Sequence, residues 1–298
     1  MISKSKFLAG LLLLVVILLA APLTAFAETP SQITIGFIPG EDPETIKKAG
    51  LGLAQLLQEK VGIAVNIHIS KDYQGLIEAM KQKKIDFAFF SAMTFVFAEK
   101  QAGAKVLLKK VWDNPFYYSV IVAKKSSGIK KVEDLKGKTI AFVDEKSGSG
   151  YLYPKVMLKR KKLDPDKFFK KTFFAGNHQS AILAVVEGKA DAATVFSDST
   201  DGSKSAWSNF SPQTISQQKV LWVSDPIPND PFAVRQDFYD KYPRTVHDLM
   251  FALIELDDYK GKNKLKELLN VNEMQTATSR HYEPVREMVK ELDLRLGQ

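Results

Sequence analysis

The chain has 298 residues, of which 45% are hydrophobic and 26% charged. That balance excludes a disordered or fibrous protein and leaves room for two domains of ordinary size. It has no cysteine, which excludes disulfides, thiolate metal sites and an N-terminal lipidated cysteine. The net charge of +8 does not imply nucleic acid, because lysines alternate with acids along the chain. The one dense run, Lys159 to Lys162, reads as a solvated last helical turn favoured by the helix dipole.

The first residues differ from the rest. Lys4 and Lys6 precede an apolar run from Phe7 to Ala21, then Pro22 and Ala25-Phe-Ala27. This is the pattern of a secretory signal over residues 1–27, cut before Glu28, and the run is short for a membrane anchor. The expected product acts in the periplasm with no covalent membrane anchor.

From Thr34 onward, strands and helices alternate. Strands are predicted over 34–38, 63–69, 85–90 and 105–111, with helices opening at Asp42, Asp72 and Ser91. The pattern resumes with strands at 117–124, 139–143, 171–174, 190–196 and 219–223. Helices are predicted over 150–161 and from Gln179 to Glu187, and another starting at Asp198–Thr200. The C-terminal part reads as helices without strands of their own.

This order predicts an α/β protein of two lobes with mostly parallel sheets. Residues 28–117 and 226–298 form one lobe and 118–225 the other. Two crossings, near Tyr117–Ser119 and Val223–Pro226, would join them. Ligands in such sheets lie beyond the carboxyl ends of strands, here in a shared cleft.

The stretch that organises the chain is Lys138 to Pro154. A buried strand turns through Asp144-Glu-Lys-Ser-Gly-Ser-Gly150 into a helix. Backbone N–H groups, hydroxyls and the positive end of a helix dipole would meet there, which suits a small oxyanion. Ser147 or Ser149 could equally serve only as a cap. Other groups just after strands are Tyr73, Ser91 with Phe95 one turn on, and His178. Asp198 also ends a strand, as an acceptor for an amine or protonated oxygen, or as a cap.

The motif Asp-Glu-Lys-Ser-Gly-Ser-Gly-Tyr-Leu-Tyr-Pro154, with Ala175-Gly-Asn-His-Gln-Ser-Ala-Ile-Leu183, resembles one known family. So do Asp72-Tyr73, Asp86-Phe-Ala-Phe-Phe-Ser91 and Ile227-Pro-Asn-Asp-Pro-Phe-Ala-Val234. These are the extracytoplasmic binding proteins of ABC importers for phosphonate, phosphite and phosphate. The resemblance implies a type II-like periplasmic-binding-protein fold with two hinge crossings and no cofactor. It also implies delivery of a phosphorus oxyanion to an ABC permease in the inner membrane. Carried over, the oxygen-binding groups are Ser147, Ser149, Gly150, Tyr73 and His178. Two positions depart from the family. Gly148 stands where a Thr is common and Phe95 where a Tyr is common, which favours phosphite or a small phosphonate over phosphate. Phe116, Tyr117 and Tyr118 would add an aromatic wall.

Catalysis is not implied, since Ser149 lacks the glycine spacing of a nucleophile elbow. The four histidines, His68, His178, His247 and His281, have no paired-ligand spacing, so no metal is expected. A sensor that docks on a signalling receptor would share the same fold and site.

Overall fold

The computed structural model describes residues 28–40 and 42–294, so the predicted signal lies outside the described residues. Its strands are β1 (Gln32–Phe37), β2 (Ala64–Ile69), β3 (Phe87–Phe89), β4 (Ala104–Val111), β5 (Phe116–Lys124) and β6 (Thr139–Phe142). They continue as β7 (Lys171–Phe174), β8 (Ala192–Ser197), β9 (Gln218–Val223), β10 (Ile227–Pro228), β11 (Pro231–Arg235) and β12 (Glu273–Thr276). The longer helices are α1 (Pro43–Val61), α2 (Tyr73–Lys81), α3 (Ala92–Ala102), α4 (Tyr153–Arg160) and α5 (His178–Val186). Two more follow near the end, α6 (Pro243–Ile254) and α7 (Glu283–Glu291).

Two sheets result, one in each lobe. The first has the order β12-β4-β11-β3-β1-β2, and the second β10-β5-β8-β6-β7 with β9 on β5. The expectation of mostly parallel sheets is corrected. Each sheet combines two parallel pairings with three antiparallel ones. The cause is the crossing chain. β5 and β11 each enter a sheet just after leaving the other lobe, and they run against the strands already there.

The crossings also sit elsewhere than predicted. β4 lies in the first sheet and β5 in the second, so the chain passes over at residues 112–115. It returns at 229–230, between β10 and β11. Tyr117 already pairs with Ile227, and both belong to the second sheet. Asn229 ties the crossings together, its side-chain amide donating to the Asn114 carbonyl at 2.7 Å. The C-terminal part is not helices alone, since it adds β11 and β12 to the first sheet, and its helices pack on earlier blocks. Val246, Leu249 and Leu253 of α6 join Leu53 and Leu57 of α1 in one core. The helix predicted from Asp198–Thr200 does not form. Asp201-Gly202 turns there instead, with Gly202 at φ +79° against the Trp207 ring.

The lobes contain an internal repeat offset by 105 positions. Thr34 N–H donates to the Asp86 carboxylate at 2.9 Å, and Thr139 N–H to that of Asp191 at 2.8 Å. Asp72 caps α2 through Gly75 N–H, and Asn177 caps α5 through Ser180 N–H. Asp42 caps α1 through Thr45 N–H, and Ser147 accepts from Gly150 N–H. In every pair the second residue is the first plus 105. The three parallel strands β2-β1-β3 therefore correspond to β7-β6-β8, and Tyr73 corresponds to His178.

Candidate ligand-binding cleft

A cavity of about 450 Å³ lies between the lobes, beyond the carboxyl ends of β1, β3, β6 and β8. Tyr73, Ser91, Ser147, Gly148, Ser149, His178 and Asp198 all line it. Seven of the nine candidate residues are thus brought together. Phe95 and Gly150 are not on its wall.

Gly150 is structural. Its N–H is taken by Ser147 Oγ at 3.1 Å, and its carbonyl accepts from the Thr194 hydroxyl. A Cβ there would meet Val143 Cβ at 2.4 Å, so only glycine fits. The expectation that Phe95 faces the cleft is also corrected. One turn beyond Ser91, its ring turns into the core, fully buried against Tyr282 at 4.9 Å. The predicted aromatic wall shrinks in the same way. Tyr117 lines the cavity, whereas Phe116 and Tyr118 pack edge-on against each other outside it. Any reading of ligand choice from Phe95 therefore falls.

The turn after β6 is wide, with a π-helical turn over Gly148–Leu152 running into α4. Ser147 is a cap, as the plainer reading had it, but capping uses only an oxygen lone pair. Its proton remains available to a ligand. A Cβ on Gly148 would stand 3.2 Å from Met93 Cβ of α3 in the other lobe. The glycine lets the turn approach the opposite lobe closely. The two lobes touch again where His178 N–H donates to the Gly40 carbonyl at 3.4 Å.

Tyr73 and His178 face the turn from equivalent places, each the first residue of its helix. Both are buried. The Tyr73 hydroxyl lies beside Ser147 and makes no well-formed hydrogen bond. Burial, then Asp144 and Asp230, hold its acidity well below that of free tyrosine, so it stays protonated. Burial pushes His178 down to about 3, so its ring is neutral at physiological pH. Its Nδ1 accepts from Phe196 N–H at 3.3 Å, which places the ring proton on Nε2. Two neutral donors, one from each lobe, therefore line the cleft with the turn.

The rest of the cleft is acidic. Asp230, in the second crossing, enters the sequence reading only within the motif Ile227–Val234. Its carboxylate lies near the Ala92 N–H at the start of α3 and pairs with Lys110 at 3.7 Å. The α3 N-terminus, with Ser91 capping Thr94 N–H at 3.2 Å, thus has a carboxylate of the protein beside it. Burial pushes Asp198 up to about 7, reinforced by Asp230 and Asp113 and opposed by Lys204 and Lys266.

The Asp198 shift has a stability consequence. Between the usual 3.8 and about 7, only the folded state keeps the proton. Asp198 therefore contributes its full stability at acid pH and loses it as pH rises toward 7. Asp198→Asn is expected to raise the melting temperature more at pH 8 than at pH 5. His178 has the opposite dependence, but it is common to both proteins and cancels. Equal shifts at the two pH values would contradict the placement of Asp198.

A two-lobed α/β frame with an interlobe cleft of neutral donors defines a periplasmic solute-binding protein. The family model for the periplasmic phosphonate-binding protein of ABC transporters matches residues 35–282. The chain belongs to that family, whose members bind and carry a solute rather than transform it. The phosphonates-binding periplasmic protein of Escherichia coli is 29% identical over 227 residues, covering 74% of this chain and 66% of that one. The phosphate-import protein PhnD of Mycolicibacterium smegmatis is 30% identical over 216 residues, covering 68% and 66%. The matched part thus spans just under two thirds of each relative's length. The structure of PhnD1 from Prochlorococcus marinus, solved with methylphosphonate, superposes with a TM-score of 0.76 at 20% identity. It covers 89% of this chain and 99% of that one.

Proposed function

We propose that this chain captures a phosphonate in the interlobe cleft and delivers it to the permease of an ABC importer. The observation that carries the reading is that Tyr73 and His178, one from each lobe, line the same cleft as the Ser147–Ser149 turn. The phosphonyl oxygens accept from these groups and from the serine hydroxyls, while the α4 turn adds its dipole. Because the donors come from both lobes, a bound ligand favours the closed arrangement and supplies the free energy of closure. The crossings at 112–115 and 229–230 act as the hinge.

Ligand choice follows from charge. Asp198, Asp230 and Glu267 line the cleft, and among the described residues the one lysine on its wall, Lys110, is already paired with Asp230. Phosphate would carry a fourth oxygen into this acidic end, where its protonated form can donate to a carboxylate but its ionised form meets repulsion. A phosphonate presents carbon there instead. Phosphite, with hydrogen in that place, is the second choice.

Calorimetry with methylphosphonate, phosphite, phosphate and sulfate tests the order. Methylphosphonate is expected to bind at least tenfold tighter than phosphate, and the radius of gyration is expected to fall at saturation. Phosphate binding tighter than both other phosphorus anions would reverse the assignment of ligand.

A further inference from the structure

The cleft is too long for the anion it is built around. Taking about 30 Å³ per small polar molecule as a yardstick, a five-heavy-atom phosphonate fills on the order of 100 Å³. The cavity holds about 450 Å³. The excess continues away from the Ser147 turn, toward the first turns of α1, and there its wall changes character. Ile46 and Ala49 of α1 and Leu268 and Leu269 of the short helix Lys264–Leu269 line it, with Trp112 at the start of the first crossing and the exposed Thr45, Glu267 and Asn270 at its rim. All five apolar residues are half-buried. Ile46, Trp112, Leu268 and Leu269 pack against the core of the first lobe.

This apolar end is built into the fold. Leu268 reaches α1 because position 52 is glycine, where a Cβ would stand 2.8 Å from Leu268 Cδ2. The internal repeat shows why an anion does not settle there. The position equivalent to Ser147 in the first lobe is Asp42, whose carboxylate already caps α1 by accepting from Thr45 N–H at 3.0 Å. The Ser147 helix start therefore offers a hydroxyl to the cleft, whereas α1, whose Thr45 and Ile46 line it, is capped by a negative charge of its own. A ligand spanning both ends needs an oxyanion at one and uncharged carbon at the other.

We propose that the end of the cleft lined by Ile46, Ala49, Trp112, Leu268 and Leu269 is a subsite for an alkyl or aryl substituent of the phosphonate. The ligand class is then a phosphonate with a tail of several carbons. This inference rests on the phosphonate reading above. Each methylene fully buried on the apolar wall multiplies affinity roughly fourfold. A cleft that opens to solvent captures part of that gain.

The test is calorimetric titration of the processed protein with methylphosphonate, hexylphosphonate and phenylphosphonate. Hexylphosphonate is expected to bind at least tenfold tighter than methylphosphonate, with phenylphosphonate between them. Methylphosphonate binding as tightly as either longer ligand overturns the tail subsite and leaves the anion site standing. No binding of any of the three overturns the phosphonate reading, and the subsite with it. Ala49→Phe fills the subsite and is expected to cut the hexyl-to-methyl affinity ratio at least fivefold. Leu269→Ala, which removes wall instead of adding bulk, is expected to lower the same ratio. A ratio unmoved in both folded variants would place the hexyl chain elsewhere and refute the subsite.

Discussion

Replacing Ser147 and Ser149 together by alanine is expected to weaken phosphonate binding by about two to four powers of ten. Each hydroxyl donates to a charged acceptor, a bond that contributes about 1.5–3 kcal/mol. The two serines are not equivalent, and the single variants separate their roles. Ser147 also accepts from Gly150 N–H, and both residues are buried. Ser147→Ala therefore strands a buried donor and is expected to lower stability by about 1 kcal/mol as well as affinity. Ser149 holds the turn through its backbone, its carbonyl accepting from Ser119 Oγ at 2.6 Å. Ser149→Ala leaves that bond intact, so it is expected to cost affinity with little change in melting temperature. A double variant that binds methylphosphonate normally in calorimetry would reduce both serines to structural parts.

Tyr73→Phe is expected to move stability and affinity in opposite directions. In the unliganded protein the Tyr73 hydroxyl is buried beside Ser147 without a well-formed hydrogen bond, an arrangement that costs up to about 1–3 kcal/mol. Removing the oxygen relieves that cost, so the variant is expected to melt higher than the parent without ligand. The same oxygen is a donor once a phosphonate arrives, and its loss is expected to weaken binding roughly ten- to a hundredfold. Thermal melts with and without saturating methylphosphonate decide the matter. A lower melting temperature in the ligand-free variant would mean that the hydroxyl is satisfied in the folded protein.

Much of this site was legible because its elements follow local rules. Tyr73, Ser91, Ser147 and His178 each stand at a helix start just after a strand, and strand ends in α/β sheets point at the cleft. What local rules do not carry is side-chain direction one turn later. Phe95 follows Ser91 by four residues and belongs to the same helix, yet its ring faces Tyr282 and the core. Sheet direction was misjudged for a related reason. Apolar runs reveal strands, but β5 and β11 are antiparallel because of where the chain crosses, a long-range fact. Asp230 was missed because Asn229-Asp-Pro231 reads as punctuation, and only the fold brings it to Ala92 and Lys110. The internal repeat did leave a signal. Thr34-Ile-Gly-Phe37 and Thr139-Ile-Ala-Phe142 are near copies, each followed at the same interval by an aspartate, Asp86 and Asp191.

The place of β11 bears on how the chain reaches its native state. It lies between β3 and β4 in the first sheet, pairing Phe232 with Phe89 on one side and Leu108 on the other. Residues 28–111 alone thus leave a gap in the middle of their own sheet, and the strand that fills it arrives more than a hundred residues later. Contacts of such sequence separation form slowly, since the loop between them must first be closed. Early segments emerging from a ribosome therefore cannot lock into a finished lobe before residue 235 is made. A nascent chain held open in this way stays threadable until late in its synthesis.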